Sequence, residues 1–390
     1  MTSIPPFASR PPETPTWLSE MDQRSAWLAL ASVSGLGPSR LACLLSACET
    51  PLGAISAPFA FLRAIPGLST ATAHAVRAAR PEAGRRLLDQ TAALGALVIL
   101  PGEPVYPARL TELADPPLAL FLLGEVGLLQ RPAVAVVGSR DHTAYGADAC
   151  RLVVAAASGA GLVVVSGMAR GIDALAHAGA LESGPGTIGV LGNGLGVIYP
   201  AANRQLYERV ARQGLLLTEF PPGDRPRVHN FPRRNRLISG LAHVTVIVEA
   251  AHGSGALITA QCALEQGRDV MAVPGPITSP RAEGTNALLR DGAHPFLIAD
   301  DLWAHYPALQ PAARSTPLNR ANTAAASTLP DDLGPIERHI AELIGVEARH
   351  VDEVVASIER GAGETLALLT ALELRGVVEA LPGGRYKRTS

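Results

Sequence analysis

Lysine is almost missing from this sequence. Lys387 is the only one, so nearly all positive charge is carried by arginine, whose planar fork fits phosphate oxygens in pairs as an ammonium cannot. Aromatic residues make up 4%, so the core must be built from Ala, Val, Leu and Ile. At 47% hydrophobic against 17% charged, the chain has enough of them. Cys43, Cys48, Cys150 and Cys262 lack metal-ligand spacing, which predicts free thiols in a reducing compartment. No apolar run reaches the roughly 18 residues of a membrane span, and Met1–Pro15 lacks the apolar stretch of a signal peptide. A cytoplasmic protein with no membrane attachment is expected. Net charge is −2, so the chain has no global footprint of a nucleic-acid binder, and any such binding must come from a local patch.

The pattern along the chain predicts a lead-in over 1–16, a helical domain over 17–95, an α/β domain over 96–306, a linker over 307–330 and a small domain over 331–390. In the helical part, Val33–Pro38 and Ile65–Ser69 are Gly turns, each leading into a helical run. Such turns fit a SAM/helix-hairpin-helix-like domain, in which backbone N–H groups can meet a phosphate; a plain small bundle with Gly turns fits them too. Leu97–Leu100 and Leu118–Leu122 read as lead-in strands. From Ala133, short apolar runs alternate with helical ones: Ala133–Val137, Leu162–Val165, Thr187–Leu191, Leu215–Thr218, Val244–Val248 and Asp269–Val273 as strands, with a helix expected over Arg234–Leu241. That alternation predicts βαβ units and a Rossmann-like parallel sheet. The last domain reads as three helices and a two-strand ribbon, a winged-helix-like module able to meet DNA or protein.

Three loops at the carboxyl edge of this sheet are rich in Gly, Ser and Arg: Gly138-Ser139-Arg140, Ser166–Gly171 and Phe231–Arg236. Ligands of open α/β sheets bind at that edge, and these residue types suit phosphates. Neither Gly138-Ser139-Arg140 nor Gly192–Gly196 has the Gly-x-Gly-x-x-Gly spacing of a dinucleotide site, which argues against hydride transfer. Asp173 is expected to cap the helix after the second loop, and His177 to be packed. Arg225–Arg236 holds five arginines and Phe231 without an acid among them, as single-strand binding requires: arginines for the backbone, a ring for a base. The alternative is a basic loop pairing with Asp224 or Glu219. Glu249, facing His252-Gly253-Ser254-Gly255, keeps a general acid/base possible.

Taken in order, Val137–Arg140, Ser166-Gly167 with Gly171-Ile172-Asp173, Tyr199-Pro200 with Asn203, Phe231-Pro232 with Arg234-Asn235-Arg236, Val248-Glu249-Ala250, Ser254-Gly255 with Thr259-Ala260, Gly267-Arg268 and Val273-Pro274-Gly275 form one set. Over about 101–300 the chain resembles the DNA-processing protein A family (DprA, also called Smf). The resemblance implies a non-enzymatic protein that binds single-stranded DNA without sequence preference, forms a homodimer through its Rossmann-like domain and loads RecA during natural transformation. It needs no cofactor or metal, and single-strand-binding protein is a further candidate partner. The expected DNA contacts are Gly138, Ser139, Arg140, Ser166, Gly167, Arg170, Gly171, Arg204, Phe231, Arg233, Arg234, Asn235, Arg236, Gly253 and Ser254. Among them, Arg204 would replace the basic residue that relatives often place where this chain has Ala201, and Arg170 stands where many relatives have lysine. The core is also similar to the cytokinin-activating phosphoribohydrolases, which makes a nucleotide-cleaving enzyme the alternative. Gly253–Thr259 lacks the acid that ends their Pro-Gly-Gly-x-Gly-Thr-x-x-Glu loop.

Overall fold

The structure, a computed structural model, describes residues 20–306, 333–344, 349–358, 361–381 and 385–388. The lead-in expected over 1–16 and the linker expected over 307–330 lie outside the described residues. The chain forms two compact units, 1–311 and 312–390.

The first unit opens with six helices: α1 (Met21–Ala31), α2 (Pro38–Cys48), α3 (Pro51–Ser56), α4 (Phe59–Ala64), α5 (Thr70–Ala78) and α6 (Pro81–Ala93). Proline begins α2, α3 and α6, where its fixed φ suits a first turn and its missing N–H costs no bond. Thr50 and Ser69 cap α3 and α5 by accepting the N–H groups of Gly53 and Thr72. Helices α1 and α6 lie so close that a Cβ at Gly84 would collide with the Ser25 carbonyl.

The helices rest on the sheet. Trp27, Leu28 and Leu30 share one buried cluster with Val98, Leu100, Phe121, Met168 and Leu216. The Trp27 indole donates to Leu118 O at 2.7 Å, and Arg24 pairs with Glu103. The helical segment expected as its own domain therefore shares a core with the α/β layer.

That layer continues with β1 (Leu97–Ile99), α7 (Ala108–Thr111), β2 (Leu120–Gly124), β3 (Ala133–Val137), α8 (Ala144–Gly159), β4 (Val163–Ser166), α9 (Ile172–Ser183), β5 (Thr187–Val190) and α10 (Arg204–Gln213). It closes with β6 (Leu215–Thr218), α11 (Asn230–Leu241), β7 (Val244–Ile247), α12 (Gly255–Glu265), β8 (Asp269–Ala272), α13 (Glu283–Arg290), β9 (His294–Pro295) and α14 (Ala299–Trp303). The strand order is β1-β2-β6-β5-β4-β3-β7-β8-β9. Strands β3 to β9 pair in parallel, and the lead-in strands β1 and β2 join antiparallel at one edge. The expected Rossmann-like sheet is thus mostly parallel.

Alternation along β3 splits the core. Ala133, Ala135 and Val137 pack with α11 and α12, while Val134 and Val136 pack with α8 and α9, the period of two that buries both faces. The chain runs outward from β3 to β6, then returns to place β7 on the other side of β3. The crevice between the loops after β3 and β7 is the position where such sheets bind ligands.

The second unit contains α15 (Pro335–Ile344), β10 (Arg349–His350), α16 (Val351–Ala356), α17 (Ala362–Leu374), β11 (Val378–Leu381) and β12 (Arg385–Arg388), with strand order β10-β12-β11. Ile340, Ile344, Val354, Leu369, Leu372 and Val378 form its core. Three helices and the expected β11–β12 ribbon make the winged helix, with β10 paired to β12 as a third strand that was not expected.

Candidate functional site

The loops after β3 and β4 lie against each other. Ile172 N–H donates to Ser139 O at 3.0 Å. Gly171 takes φ 79°, and a Cβ there would collide with Ser139 O and the Arg140 backbone. Only glycine meets both demands at once. The contact brings two exposed arginines, Arg140 and Arg170, onto one rim. Ser139 Oγ accepts Asp141 N–H at 3.2 Å, which holds the turn. Asn203 Nδ2 donates to the carbonyls of Met168 and Ala169, both at 3.0 Å, so exposed Arg204 at the start of α10 stands beside the Arg170 loop.

Beneath the rim, several expected contacts turn inward. Ser166 is fully buried and its hydroxyl donates to Val136 O at 2.6 Å. Gly167 is buried as well, with the Arg234 guanidinium directly below it. Helix α11 begins one turn earlier than expected, at Asn230, so Phe231–Arg236 is helix rather than loop. That register carries Arg234 under the sheet edge. It is 4% exposed and donates to Gly167 O and Val190 O, each at 2.5 Å.

Burial lowers the Arg234 pKa to about 10; Asp173 opposes that shift and Arg140 adds to it. Burial raises the Asp173 carboxyl, against the pull of Arg234 and of the Ala169 N–H it accepts. Asp173 therefore closes the loop from below, while Gly171 stands at the helix N-cap. Asn235 is buried and reaches Gly255 O at 3.4 Å. Four expected contacts, Ser166, Gly167, Arg234 and Asn235, are thus enclosed by protein beneath the rim.

Arg233 and Arg236 face the other side of α11. Both pair with Glu219, at 2.8 and 2.7 Å, and Arg236 also approaches Asp115 at 3.7 Å. The run that is free of acids in sequence meets acids in space. Arg233 remains exposed, whereas the Arg236 side chain is only 15% exposed. Glu219 is nearly enclosed; burial raises its pKa, against Arg236 and Arg233.

Phe231 is half-buried. Its ring lies 5.6 Å from that of Tyr199, tilted by 35°, and fills the space beside Gly192 that a Cβ would occupy. Tyr199, which follows the Gly192–Gly196 loop, is absent from the contacts expected from sequence; in the structure it is 48% exposed.

Across the crevice, Gly253 is exposed and Ser254 caps α12 by accepting Ala256 N–H at 3.3 Å. Glu249 Oε2 accepts both the N–H and the hydroxyl of Thr143, at 3.0 and 2.9 Å, and Thr143 in turn caps α8. The carboxylate thus anchors the helix that follows the Arg140 loop. Its Oε1 has no hydrogen-bond partner among the described residues, and Glu249 lines a cleft of about 220 Å³ with Tyr145 and Thr285. His177 is packed as expected, bonded through Nδ1 to Thr187 at 2.7 Å. Burial lowers its pKa to about 3. Among the described residues no cluster of His, Cys, Asp and Glu could hold a metal ion, and no helix is long and apolar enough to cross a membrane.

The rim therefore carries exposed Arg140, Arg170 and Arg204, with the Tyr199–Phe231 ring pair and a buried layer that holds the loops. Residues 97–307 match the family model for DNA recombination-mediator protein A, and residues 324–384 match that for the DprA winged helix domain. The chain is 33% identical to Protein Smf of Synechocystis over 94% of its own length and 99% of the relative's. It is 42% identical to DNA processing protein DprA of Streptococcus pneumoniae over 52% of this chain and 72% of that one. Among solved structures, DNA processing protein A from S. pneumoniae aligns with a TM-score of 0.63 at 33% identity, covering 72% of this chain and 97% of that one. DNA processing protein A from Helicobacter pylori, solved to describe its single-stranded DNA binding mode, aligns with a TM-score of 0.50 at 29% identity, over 55% and 96% of the two chains.

Proposed function

The chain belongs to the DNA recombination-mediator protein A family, and on that premise we propose that it binds single-stranded DNA, without sequence preference, along the rim formed by the Arg140, Arg170 and Arg204 segments. The observation that carries this reading is the contact of the first two loops at Gly171. It sets exposed Arg140 and Arg170 on one surface, and Asn203 ties the segment that carries Tyr199, whose ring meets Phe231, to the Arg170 loop. Arginines neutralise successive phosphates irrespective of base, and a ring stacks any base, so neither element selects sequence. The single-stranded DNA binding mode described for the H. pylori relative supports the same ligand class.

In this reading the protein acts as a binder rather than an enzyme. It works in the cytoplasm as a homodimer joined through the sheet unit, and it helps load RecA during natural transformation, with single-strand-binding protein as a further partner. The winged-helix unit is assigned to protein partners: residues 331–390 hold eleven acidic and seven basic side chains, a balance that suits a phosphate backbone poorly. Fluorescence anisotropy with oligo-dT and with duplex DNA across a salt series tests the reading. With four or five phosphates neutralised, log K should fall against log salt with a slope of roughly −3. An affinity that ignores salt, or that favours duplex, would overturn it.

A second reading rests on Glu249, whose Oε1 has no partner among the described residues and which lines the 220 Å³ cleft: a nucleotide-cleaving enzyme using that carboxylate. Incubation with nucleoside monophosphates, followed by a search for released free base, separates it from the first.

A further inference from the structure

Helix α11 has a second face, and it borders a different space. A groove of about 620 Å³ runs between the Gly35–Pro38 turn with the start of α2 on one wall and the outer face of α11 with its preceding loop on the other. We propose that this groove is a second phosphate-binding site, separate from the rim and fed by donors from both walls.

On the helical wall, Gly37 is the N-cap of α2 and supplies no side-chain cap; Pro38 has no N–H, so the backbone donors of this turn are those of Ser39 and Arg40, and exposed Arg40 also donates through Nη1 to Gly35 O at 2.7 Å. A helix start with free N–H groups favours an anion. On the opposite wall, Asn230 is 3% exposed and its Nδ2 has no hydrogen-bond partner among the described residues; Arg236 Nε and Nη1 likewise have none. A buried donor left unpaired is costly; three such donors belong to residues lining the groove, against one unpaired acceptor there, Glu219 Oε1.

The charges agree. Arg40, Arg227, Arg233 and Arg236 line the groove against Asp115, Glu219 and Asp224, which leaves one positive charge in excess. A cation would meet mainly donors there, and a neutral ligand would leave the excess charge unanswered. A phosphoryl group offers several acceptor oxygens in different directions, enough for donors on two walls. Two sources share that chemistry. One is the backbone of a single strand that rounds the start of α11 from Phe231, and this source alone rests on the function proposed above. The other is a free nucleotide or inorganic phosphate.

Two independent variants test the site. Arg40→Glu reverses an exposed charge. Gly37→Asp puts a carboxylate at the mouth of the groove without strain, since Gly37 has φ −75° and a Cβ there meets nothing within 4 Å, and aspartate is a favourable helix cap. Each is compared with the unmodified chain for binding of dT oligomers of about six and about twenty nucleotides, and for shifts on titration with inorganic phosphate and thymidine monophosphate. Strand phosphates predict unchanged short-oligomer binding, at least fivefold weaker long-oligomer binding and a salt slope flatter by about 0.7 for each lost contact. Free-phosphate binding predicts loss of the titration shifts with both oligomers unaffected. If long-oligomer affinity, salt slope and titration shifts all stay as in the unmodified chain, the groove is no phosphate site. Failure of the unmodified chain to bind even the short oligomer would instead strike at the rim, leaving the phosphate titration to judge the groove.

Discussion

The arginines of the rim and the arginine beneath it share a side chain and little else. Arg140 and Arg170 are exposed, carried on turns whose backbones touch. Arg234 is enclosed, and its guanidinium ties the carbonyls of Gly167 and Val190 together beside Asp173. The outer residues are free to neutralise a ligand, while the inner one positions the loop that presents them. A fully desolvated guanidinium is stable only with its donors satisfied and a counter-charge nearby, and Arg234 has both. Charge reversal should therefore mean loss of fold on the inside and loss of ligand on the outside.

The strongest attempt to break this contrast is Arg234→Glu. It sets a second carboxylate against Asp173 in a dry site and should cost about 3–5 kcal/mol of stability, seen as a lower denaturant midpoint. A variant as stable as the parent would mean that Arg234 is not locked in place.

The buried layer makes a second claim through His177. Its pKa lies near 3 when folded, against about 6.5 in an unfolded chain. The unfolded state therefore binds the extra proton between those limits, and stability must fall as pH falls through that window. Between pH 7 and about pH 4 the loss should approach 3 kcal/mol, and His177→Gln, which keeps a polar partner for Thr187, should remove most of it. Equal pH dependence in both proteins would show that His177 does not carry the effect.

On the outer side, Phe231→Ala should lose roughly 1–3 kcal/mol of single-strand affinity with little change in salt slope, because stacking releases no counterions. Arg140→Glu should do the reverse. It weakens oligo-dT binding about tenfold, near 1.4 kcal/mol, and flattens the slope, with an unchanged unfolding midpoint. Anisotropy at two salt concentrations resolves both, and matching slopes in the two variants would erase the distinction between stacking and charge.

The alternation of strands and helices was legible from residue 133 onward because β3 to β8 are short apolar runs divided by helices, with little competing signal. The loops after β3 and β4 were legible for the same reason. What could not be read was the depth of each arginine. Phe231-Pro232 looked like a turn, yet proline is tolerated in a first helical turn, and α11 begins before it. A clue was present: Arg234, Ile238 and Leu241 recur at helical spacing, and all three are buried, so Arg234 lies on the apolar face. The pairing of Arg233 and Arg236 with Glu219 stood in the sequence only as the alternative to a run that tracks phosphates, and the structure shows it. The acid sits 14 and 17 positions away, and only the path of the intervening loop brings it back.

The edge of the family-model match is not an edge of the fold. The family-model match begins at residue 97, but strand β1 beyond it is sealed by Trp27, Leu28 and Leu30, which precede it by dozens of residues. A fragment cut where that match starts would bare Val98, Leu100 and Phe121 to water, and a surface of that kind invites association with other chains. The stretch that the family model matches is shorter than the length that must fold together, so the smallest portable piece of this protein has to be chosen from its packing.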